Sequence, residues 1–179
     1  MSADDPPFDP GALLAALDQH EVTYLLVGGF AAQVHGAHRQ TMDLDVVPRT
    51  TEENLRRLAA TLAELNARLR VGGLSDEEAK QLPVVLDAAT LRSFGSSTWM
   101  TDAGPIDVLV ELRDAAGGRH PYEDLASRVV VAKIDELQVH LASLPDIIAS
   151  KEFAGRAKDH DALPELRALV AQTDGPPKH

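Results

Sequence analysis

Cysteine is absent from the 179-residue chain, which excludes disulfides and thiolate metal sites. The apolar runs are also far too short to span a membrane. The first ten residues, MSADDPPFDP, are acidic and rich in proline, whereas a signal peptide begins with positive charge and an apolar stretch. These absences predict a cytoplasmic protein with no membrane partner.

Cations are scarce, because 17 lysines and arginines stand against 28 aspartates and glutamates and give a formal net charge of −11. A protein that coats duplex DNA nonspecifically is usually basic, so no duplex DNA partner is expected. The acidity still permits a local basic groove, and bound cations can neutralise part of it. The remaining composition, with 44% hydrophobic and 25% charged residues, is ordinary for a globular domain.

The hydrophobic patterns predict an α+β (mixed α/β) fold, with a mixed sheet flanked by helices and a C-terminal helical part. We expect a flexible arm at 1–10, a core at 11–143 and a helical segment at 144–179. The predicted helices are at 11–21, 30–38, 49–70, 122–128 and 145–172, and the predicted strands are at 22–29 and 39–48, followed by hairpins at 94–112 and 129–142. The helix at 49–70 has a predicted capping box at Thr50 and Glu53, an apolar stripe that continues to Leu69, and an end at Gly72-Gly73.

The segment RQTMDLDVVP, residues 39–48, alternates in polarity and predicts a strand with one polar face. Asp43 and Asp45 lie two positions apart, so both carboxylates leave that face about 7 Å apart. The two charges repel each other and resist desolvation, whereas a divalent cation between them reverses the sign of the interaction. The pair therefore predicts a site for one or two Mg²⁺ (or Mn²⁺) ions, although a lone Asp-x-Asp is most often a solvated strand face.

A third acid, Asp107, interrupts the apolar strand GPIDVLV and points away from Ile106 and Val108. Three acids on strands are the layout of two-metal phosphoryl transfer, in which the third acid ligates an ion or takes a proton. Gly28-Gly29 ends the first strand, and free N–H groups at such a turn can meet a phosphate. Each feature alone has a plainer interpretation, as a simple turn or as a hairpin carboxylate facing water.

The ordered segments LLVGGFAAQVHG, RQTMDLDVV and GPIDVLV resemble the nucleotidyltransferase superfamily that shares its catalytic domain with DNA polymerase beta. The resemblance implies a nucleotidyltransferase fold and an enzyme that moves a nucleoside monophosphate from a nucleoside triphosphate. It spans about residues 22–112 and matches the family's glycine pair, Asp-x-Asp and third acid, which are Gly28, Gly29, Asp43, Asp45 and Asp107 here. Phe30 departs from the pattern, since many members carry a small or hydroxyl residue there.

The tail LPDIIASKEFAGRAKDHDALPEL is similar to the tail of the AbiEii/MenT-type nucleotidyltransferase toxins. In that family a helix lysine and a following Lys-Asp pair complete the nucleotide site, which implies Lys151, Lys158 and Asp159 here, with Lys151 also catalytic. If a helix starts at 146, these residues and Gly155 lie near one face. Asp161 competes with Asp159 for the match, and propensity alone favours a plain amphipathic helix with solvated charges.

The resemblance further implies that the acceptor is the 3′ end of tRNA and that the protein is the toxin of a toxin–antitoxin system, with a cognate antitoxin. A tRNA substrate needs a basic strip, for which the candidates are Arg39, Arg49, Arg56, Arg57, Lys151, Arg156 and Lys158. Three alternatives stay open: a small-molecule acceptor as in antibiotic adenylyltransferases, a protein hydroxyl acceptor, and a non-catalytic antitoxin or nucleotide-binding partner module. The sequence does not select the base of the triphosphate.

Thr41 precedes Asp43 by two residues and shares the predicted polar face. It is either a β-branched strand former or a nucleotide-site residue and regulatory phosphorylation site. A phosphate there adds about −1.5 to −2 charges beside the metal site and competes with the triphosphate. His35 and His38 are predicted to be structural or substrate-facing and not zinc ligands, while Trp99 and Phe94 are predicted to lie in the core.

Overall fold

The computed structural model describes residues 6–74, 78–79 and 81–173. The helices within these ranges are α1 (Pro10–Gln19), α2 (Gly28–Val34), α3 (Glu52–Glu64), α4 (Ala88–Ser93), α5 (Tyr122–Ala126), α6 (Leu144–Ala154) and α7 (Ala157–Thr173). The strands are β1 (Tyr24–Val27), β2 (Leu44–Pro48), β3 (Arg68–Arg70), β4 (Ser96–Thr101), β5 (Gly104–Leu109), β6 (Glu111–Arg113), β7 (Arg119–Pro121), β8 (Val130–Ile134) and β9 (Leu137–Leu141).

A seven-stranded sheet in the order β3-β4-β5-β2-β1-β9-β8 forms the centre of the fold. The β1–β9 and β2–β5 pairs are parallel, and the remaining pairs of this sheet are antiparallel. Strands β6 and β7 form a separate antiparallel pair. The predicted mixed sheet flanked by helices is therefore confirmed, and it places β2 and β5 side by side in the middle.

The core lies between this sheet and the apolar faces of the helices. Leu25, Leu26 and Val27 of β1 are all buried, because a central strand is covered on both faces. On α3 the spacing of Leu55, Leu58 and Leu62 turns one stripe inward, and each is fully buried. Burying one such side chain contributes about 1.5–3 kcal/mol. None of the described helices has both the length and the apolarity needed to cross a bilayer.

The long helix predicted at 49–70 was wrong at both ends. Its N-cap is Thr51, whose side chain accepts a hydrogen bond from the Asn54 N–H, and not Thr50. It ends at Glu64, because Asn66 takes a left-handed conformation with φ 52°, which asparagine tolerates better than most residues. Leu69 belongs to β3, where it pairs with Trp99 of β4 and not with a helical stripe. Pairing with a distant strand thus overrode the local pattern.

The strand predicted at 39–48 was also too long, since β2 begins only at Leu44. Its neighbour β1 ends at Val27, opposite Asp45, and the chain then turns into α2. Residues 39–43 therefore lack a β1 partner, and Met42 is exposed instead of alternating into the core. Asp43 lies just before the strand and not within it.

The two chain ends differ from expectation where the structure describes them. Residues 1–5 of the predicted flexible arm lie outside the described residues, but Phe8 packs edge-on against Phe30 and Asp9 caps α1. The predicted helix at 145–172 is two helices, because Gly155 ends α6 with φ +60°. Helices α6 and α7 pack on each other, and α6 also contacts α2.

Candidate active site

Strand register brings the predicted acids together. Asp45 on β2 stands opposite Val27 of β1 on one side and opposite Asp107 of β5 on the other. Asp43 precedes β2 and lines the same cavity, a cleft of about 840 Å³ whose walls include the glycine turn at 28–29, Lys151 and Asp159. Nine residues singled out from the sequence line this cleft: Gly28, Gly29, Thr41, Asp43, Asp45, Asp107, Lys151, Lys158 and Asp159.

Asp45 carries the strongest electrostatic perturbation in the cleft. Burial, reinforced by the negative charges of Asp43 and Asp107, raises its pKa to about 7. The Gly29 N–H, which donates a hydrogen bond to this carboxylate, and the Lys151 ammonium oppose the shift. The folded protein therefore holds a carboxylate that is costly to ionise, and a bound cation would relieve that cost.

Asp107 supplies a free ligand atom. Its Oδ1 is buried and has no hydrogen-bond partner within the described structure. Burial raises the pKa of Asp107, and a hydrogen bond from Thr98, its neighbour across β4 and β5, opposes the shift. A buried, unpartnered carboxylate oxygen is rare in folded proteins and points to an absent ligand.

The three acids do not form a closed metal cage. Among the described residues, no group of three or more histidine, cysteine, aspartate or glutamate side chains is arranged to hold a metal ion by itself. Mg²⁺ usually takes only one or two carboxylates and completes its shell with water and substrate phosphate. The donor set, all carboxylate oxygens, fits an ion shared with a triphosphate better than a protein-only site.

The glycine turn makes room for the acids. Gly28 has φ +65°, and a Cβ atom there would overlap the carboxylate of Asp45. A Cβ at Gly29 would lie 2.7 Å from Oγ1 of Thr41. The two glycines thus make room for the side chains of Asp45 and Thr41, which is a packing reason for the pair separate from the predicted approach of a phosphate.

Thr41 lies against the acids although it is not in a strand. Its hydroxyl donates a short hydrogen bond to Oδ1 of Asp43, and its side chain is partly buried. The bond orients the Asp43 carboxylate within the cleft. Thr41 therefore lies in the cleft, in direct contact with one of the acids.

The bend between α6 and α7 at Gly155 brings Lys151, Arg156 and Lys158 to one side of the cleft, which we call the cationic wall. Asp159 at the start of α7 is fully buried, and its carboxylate lies 3.3 Å from Nζ of Lys151 and 2.6 Å from Nε of Arg156. Burial alone would raise the pKa of Asp159, but the bonds and charges of Arg156 and Lys151 outweigh it and hold the pKa below its usual value. The predicted continuous helix would have placed Lys151, Lys158 and Asp159 along one face. Instead, Lys151 and Asp159 lie on two helices and meet across the bend at Gly155.

The structure separates the two tail acids and sorts the basic candidates. Asp161 is exposed, 4.0 Å from Arg39, and does not line the cleft. Four of the candidate cations line the cleft, namely Arg39, Lys151, Arg156 and Lys158. The other three point elsewhere: Arg49 lies over the Tyr122 ring, Arg56 pairs with Glu52, and Arg57 pairs with Glu53. Three of the seven candidates therefore lie outside the cleft.

Several cleft residues escaped sequence reasoning. Phe94 was predicted to lie in the core with Trp99, but Trp99 is buried whereas Phe94 is 41% exposed and lines the cleft. Phe153, Arg113 and Glu111 also line it. The sequence carried no signal for the position of Phe94, which caps the C-terminus of α4 just before β4.

The two histidines have structural partners. Nε2 of His35 lies 2.9 Å from the Ala142 carbonyl oxygen, and Nδ1 of His38 lies 2.8 Å from Oε1 of Glu165. Phe30, the departure from the family motif, packs against Phe8 and does not line the cleft. It therefore does not obstruct the site.

A central mixed sheet that presents a Gly-Gly turn, an Asp-x-Asp pair and a third strand aspartate to one cleft defines a nucleotidyltransferase. The chain matches the family model described as nucleotidyl transferase AbiEii toxin, type IV toxin–antitoxin system, over residues 12–161. It belongs to that nucleotidyltransferase toxin family. A comparison with curated proteins gives no significant match.

Solved structures share the fold. One is the lincosamide antibiotic adenylyltransferase LnuA bound to lincomycin, with a TM-score of 0.59, 13% identity, and 91% of this chain and 99% of that chain covered. Another is the antibiotic-resistance factor ANT(2'')-Ia, with a TM-score of 0.56, 17% identity, and 92% of this chain and 81% of that chain covered. At these identities the likeness establishes the fold.

Proposed function

We propose that the protein transfers a nucleoside monophosphate from a nucleoside triphosphate to the 3′ end of tRNA, with Mg²⁺ (or Mn²⁺), as the toxin of a toxin–antitoxin pair. The observation that best supports nucleotidyl transfer is the pairing of Asp45 with Asp107 in the sheet. It places a carboxylate whose ionisation is costly beside a buried carboxylate oxygen that has no hydrogen-bond partner. The toxin assignment rests on the family, and the tRNA acceptor and antitoxin partner rest on the family resemblance.

The acids have distinct proposed roles. Asp43 and Asp45 would hold the divalent ion, with Thr41 orienting Asp43 through its hydrogen bond. The ion, when bound, supplies positive charge that neutralises the triphosphate and the charge developing in transfer. Asp107 would contribute its free Oδ1 to an ion or accept the proton of the attacking hydroxyl.

The cationic wall has a matching role in bond breaking. The acceptor oxygen attacks the α-phosphorus, the bond from that phosphorus to the α–β bridging oxygen breaks, and pyrophosphate leaves with the electron pair. Lys151, Arg156 and Lys158 line the cleft and would neutralise the departing pyrophosphate. Asp159 is a positioning residue, because it is fully buried and holds Lys151 and Arg156.

The charge of the cleft makes an RNA substrate compatible with an acidic protein. Six carboxylates and five cationic side chains line it, so one divalent ion makes the cleft net positive although the whole chain is at −11. A small-molecule acceptor is the second candidate, since the structural neighbour LnuA is a lincosamide antibiotic adenylyltransferase and ANT(2'')-Ia is an antibiotic-resistance factor. A protein hydroxyl acceptor and a non-catalytic module are weaker candidates. The three acids Asp43, Asp45 and Asp107 are all present, which argues against a module without activity.

Transfer from each labelled triphosphate tests the proposal. Protein, Mg²⁺ and each of the four nucleoside triphosphates are incubated with bulk tRNA, with lincosamide and aminoglycoside antibiotics, or with cell protein. We expect label on tRNA from one or two triphosphates, lost by several orders of magnitude in Asp43→Ala and retained in the charge-matched control Asp161→Asn. Label on antibiotic or protein alone would replace the acceptor, and absence of transfer to any acceptor would refute the enzyme assignment.

A further inference from the structure

Exposed aromatic rings in the described chain concentrate in the cleft. Phe94 is 41% exposed and Phe153 is 47% exposed, whereas the other aromatic side chains of the described residues are at least partly buried. Both rings line the same cleft as Asp45 and Asp107. A large apolar ring left open to water beside a polar site suggests a ligand with a flat face.

The register of the sheet places Phe94 on the far side of the acids from the glycine turn. A row of paired residues crosses four strands from Val27 through Asp45 and Asp107 to Thr98. Gly28 lies just beyond one end of this row. Gly95 lies near the other end of the row, on β4's side of the sheet, and its carbonyl accepts a hydrogen bond from the Val110 N–H. Measured along the strands, Gly28 and Gly95 lie on opposite sides of the row. Three strand spacings, roughly 14 Å, separate β1 from β4.

This geometry assigns the two sides of the cleft to two substrates. In phosphoryl transfer the attacking and leaving oxygens lie roughly in line on opposite sides of the phosphorus. If the leaving pyrophosphate lies toward the glycine turn and Lys151, the acceptor must approach past Asp107 from the Phe94 side. The acceptor side of the cleft therefore comprises Phe94, Gly95, Leu109, Glu111, Arg113 and Phe153.

We propose that Phe94 and Phe153, with Arg113, form a stacking subsite for the terminal bases of a single-stranded RNA 3′ end, which deepens and rests on the proposed nucleotidyl transfer. Unpaired bases stack on aromatic rings and on guanidinium planes, and this is the usual way in which proteins hold single-stranded RNA. The Arg113 guanidinium carbon lies 5.9 Å from the centroid of the Phe153 ring, so ring and cation already face each other. These residues position the acceptor and do not take part in bond making.

Charge on the acceptor side favours an RNA end over a cationic antibiotic. Its one acid, Glu111, is bonded to both Arg113 at 3.2 Å and Arg119 at 2.8 Å, so it is neutralised. The two arginines are 47% and 66% exposed and can meet phosphates. A polycationic acceptor would call for unpaired carboxylates here, and among the described residues of this side there is none.

Binding of a short RNA tests the subsite without turnover. The probe is a fluorescein-labelled single-stranded RNA with a free 3′ hydroxyl, titrated with the full chain and followed by fluorescence anisotropy. We expect Phe94→Leu and Phe153→Leu to raise its Kd between about 5- and 150-fold, because leucine keeps the apolar surface but cannot stack. Phe94→Tyr should stay within about threefold of wild type, and Val131→Ala, an exposed apolar change on β8, should not alter the Kd.

Steady-state transfer to the same RNA separates this subsite from the proposed function. Support requires a higher KM for RNA in both leucine variants, with the KM for the triphosphate unchanged. RNA labelling equal to that of Val131→Ala would overturn the subsite but leave the transferase standing. A raised KM for the triphosphate would assign the rings to the incoming base and also overturn it. Labelling of antibiotic without RNA, or no transfer at all, would remove both the RNA subsite and the proposed acceptor.

Discussion

The buried charge of Asp45 makes one stability prediction that can be worked out in detail. In protein freed of divalent ions, Asp45→Asn should increase the free energy of unfolding at pH 8, although the same change should abolish transfer. Asparagine keeps the size of the side chain and an oxygen that can accept from the Gly29 N–H. It removes the negative charge that burial, Asp43 and Asp107 all oppose.

The magnitude follows from the pKa of about 7 for this carboxyl in the folded chain. An unfolded aspartate has a pKa of about 3.9, so the folded state keeps a proton that the unfolded state has lost between about pH 4 and pH 7. Wild-type stability therefore falls from this group as the pH rises through that window, and the cost is complete above pH 7. Roughly three pKa units correspond to about 4 kcal/mol, of which we expect about 2 kcal/mol to survive water and counter-ions in the open cleft.

Thermal unfolding with a chelator present checks the prediction. A gain of about 2 kcal/mol corresponds to about 4–8 °C in Tm for a chain of this size. The gain should be near zero at pH 4, grow toward pH 7 and then level off. Asp161→Asn removes the same formal charge from an exposed position and should leave Tm within about 1 °C, since exposed ion pairs contribute little.

Addition of Mg²⁺ provides the second half of the test. Wild type should gain about 2.7 kcal/mol at pH 8 at an ion concentration one hundred times its Kd at that pH, and the same concentration should give a smaller gain at pH 6. Asp45→Asn should gain far less. An Asn variant that is equal to or less stable than wild type at pH 8 without metal would refute the reasoning, because the Asp45 charge would then not be a folding cost.

The remaining predictions concern the residues around the acids. Lys151→Ala should lower kcat/KM about 10- to 100-fold in steady-state transfer, because it removes charge facing the pyrophosphate; unchanged kinetics would make α6 a packing helix. Asp159→Asn should destabilise the chain by about 1–3 kcal/mol in chemical denaturation, by leaving Lys151 and Arg156 without their anchor, and equality with Asp161→Asn would contradict that role. Thr41→Glu should silence transfer and Thr41→Ser should preserve it. Intact-mass analysis of the protein co-expressed with its genomic neighbour should show whether Thr41 carries phosphate. An active Thr41→Glu enzyme would end the regulatory hypothesis. Gly28→Ala should abolish transfer and cost about 1–2 kcal/mol, because its φ of +65° and its contact with Asp45 both exclude a side chain, whereas Gly72→Ala, in open space, should be neutral in both assays.

Local patterns in the sequence determined much of this protein. The apolar run before Gly28, the alternation around Asp45 and the interrupted strand at Asp107 each depend on near neighbours in the chain, and period-two alternation fixes which side chains share a face. These patterns, joined by the family resemblance, singled out the acids and the glycine turn, and they predicted a mixed sheet flanked by helices. The hairpin turn near Asp135 was also correct, since it separates β8 from β9.

Only the tertiary structure decided which candidates meet. Register between β2 and β5, set by contacts about sixty positions apart in the chain, placed Asp45 beside Asp107. The bend at Gly155 turns α7 back toward Lys151, and it is therefore Asp159, and not Asp161, that pairs with this lysine. Pairing also ended α3 early and left residues 39–43 out of the sheet, since a strand needs a partner that local sequence does not reveal. Whether an arginine or a phenylalanine faces the cleft depends on the same long-range packing, which is why Arg49 and Phe94 could be placed only by the fold.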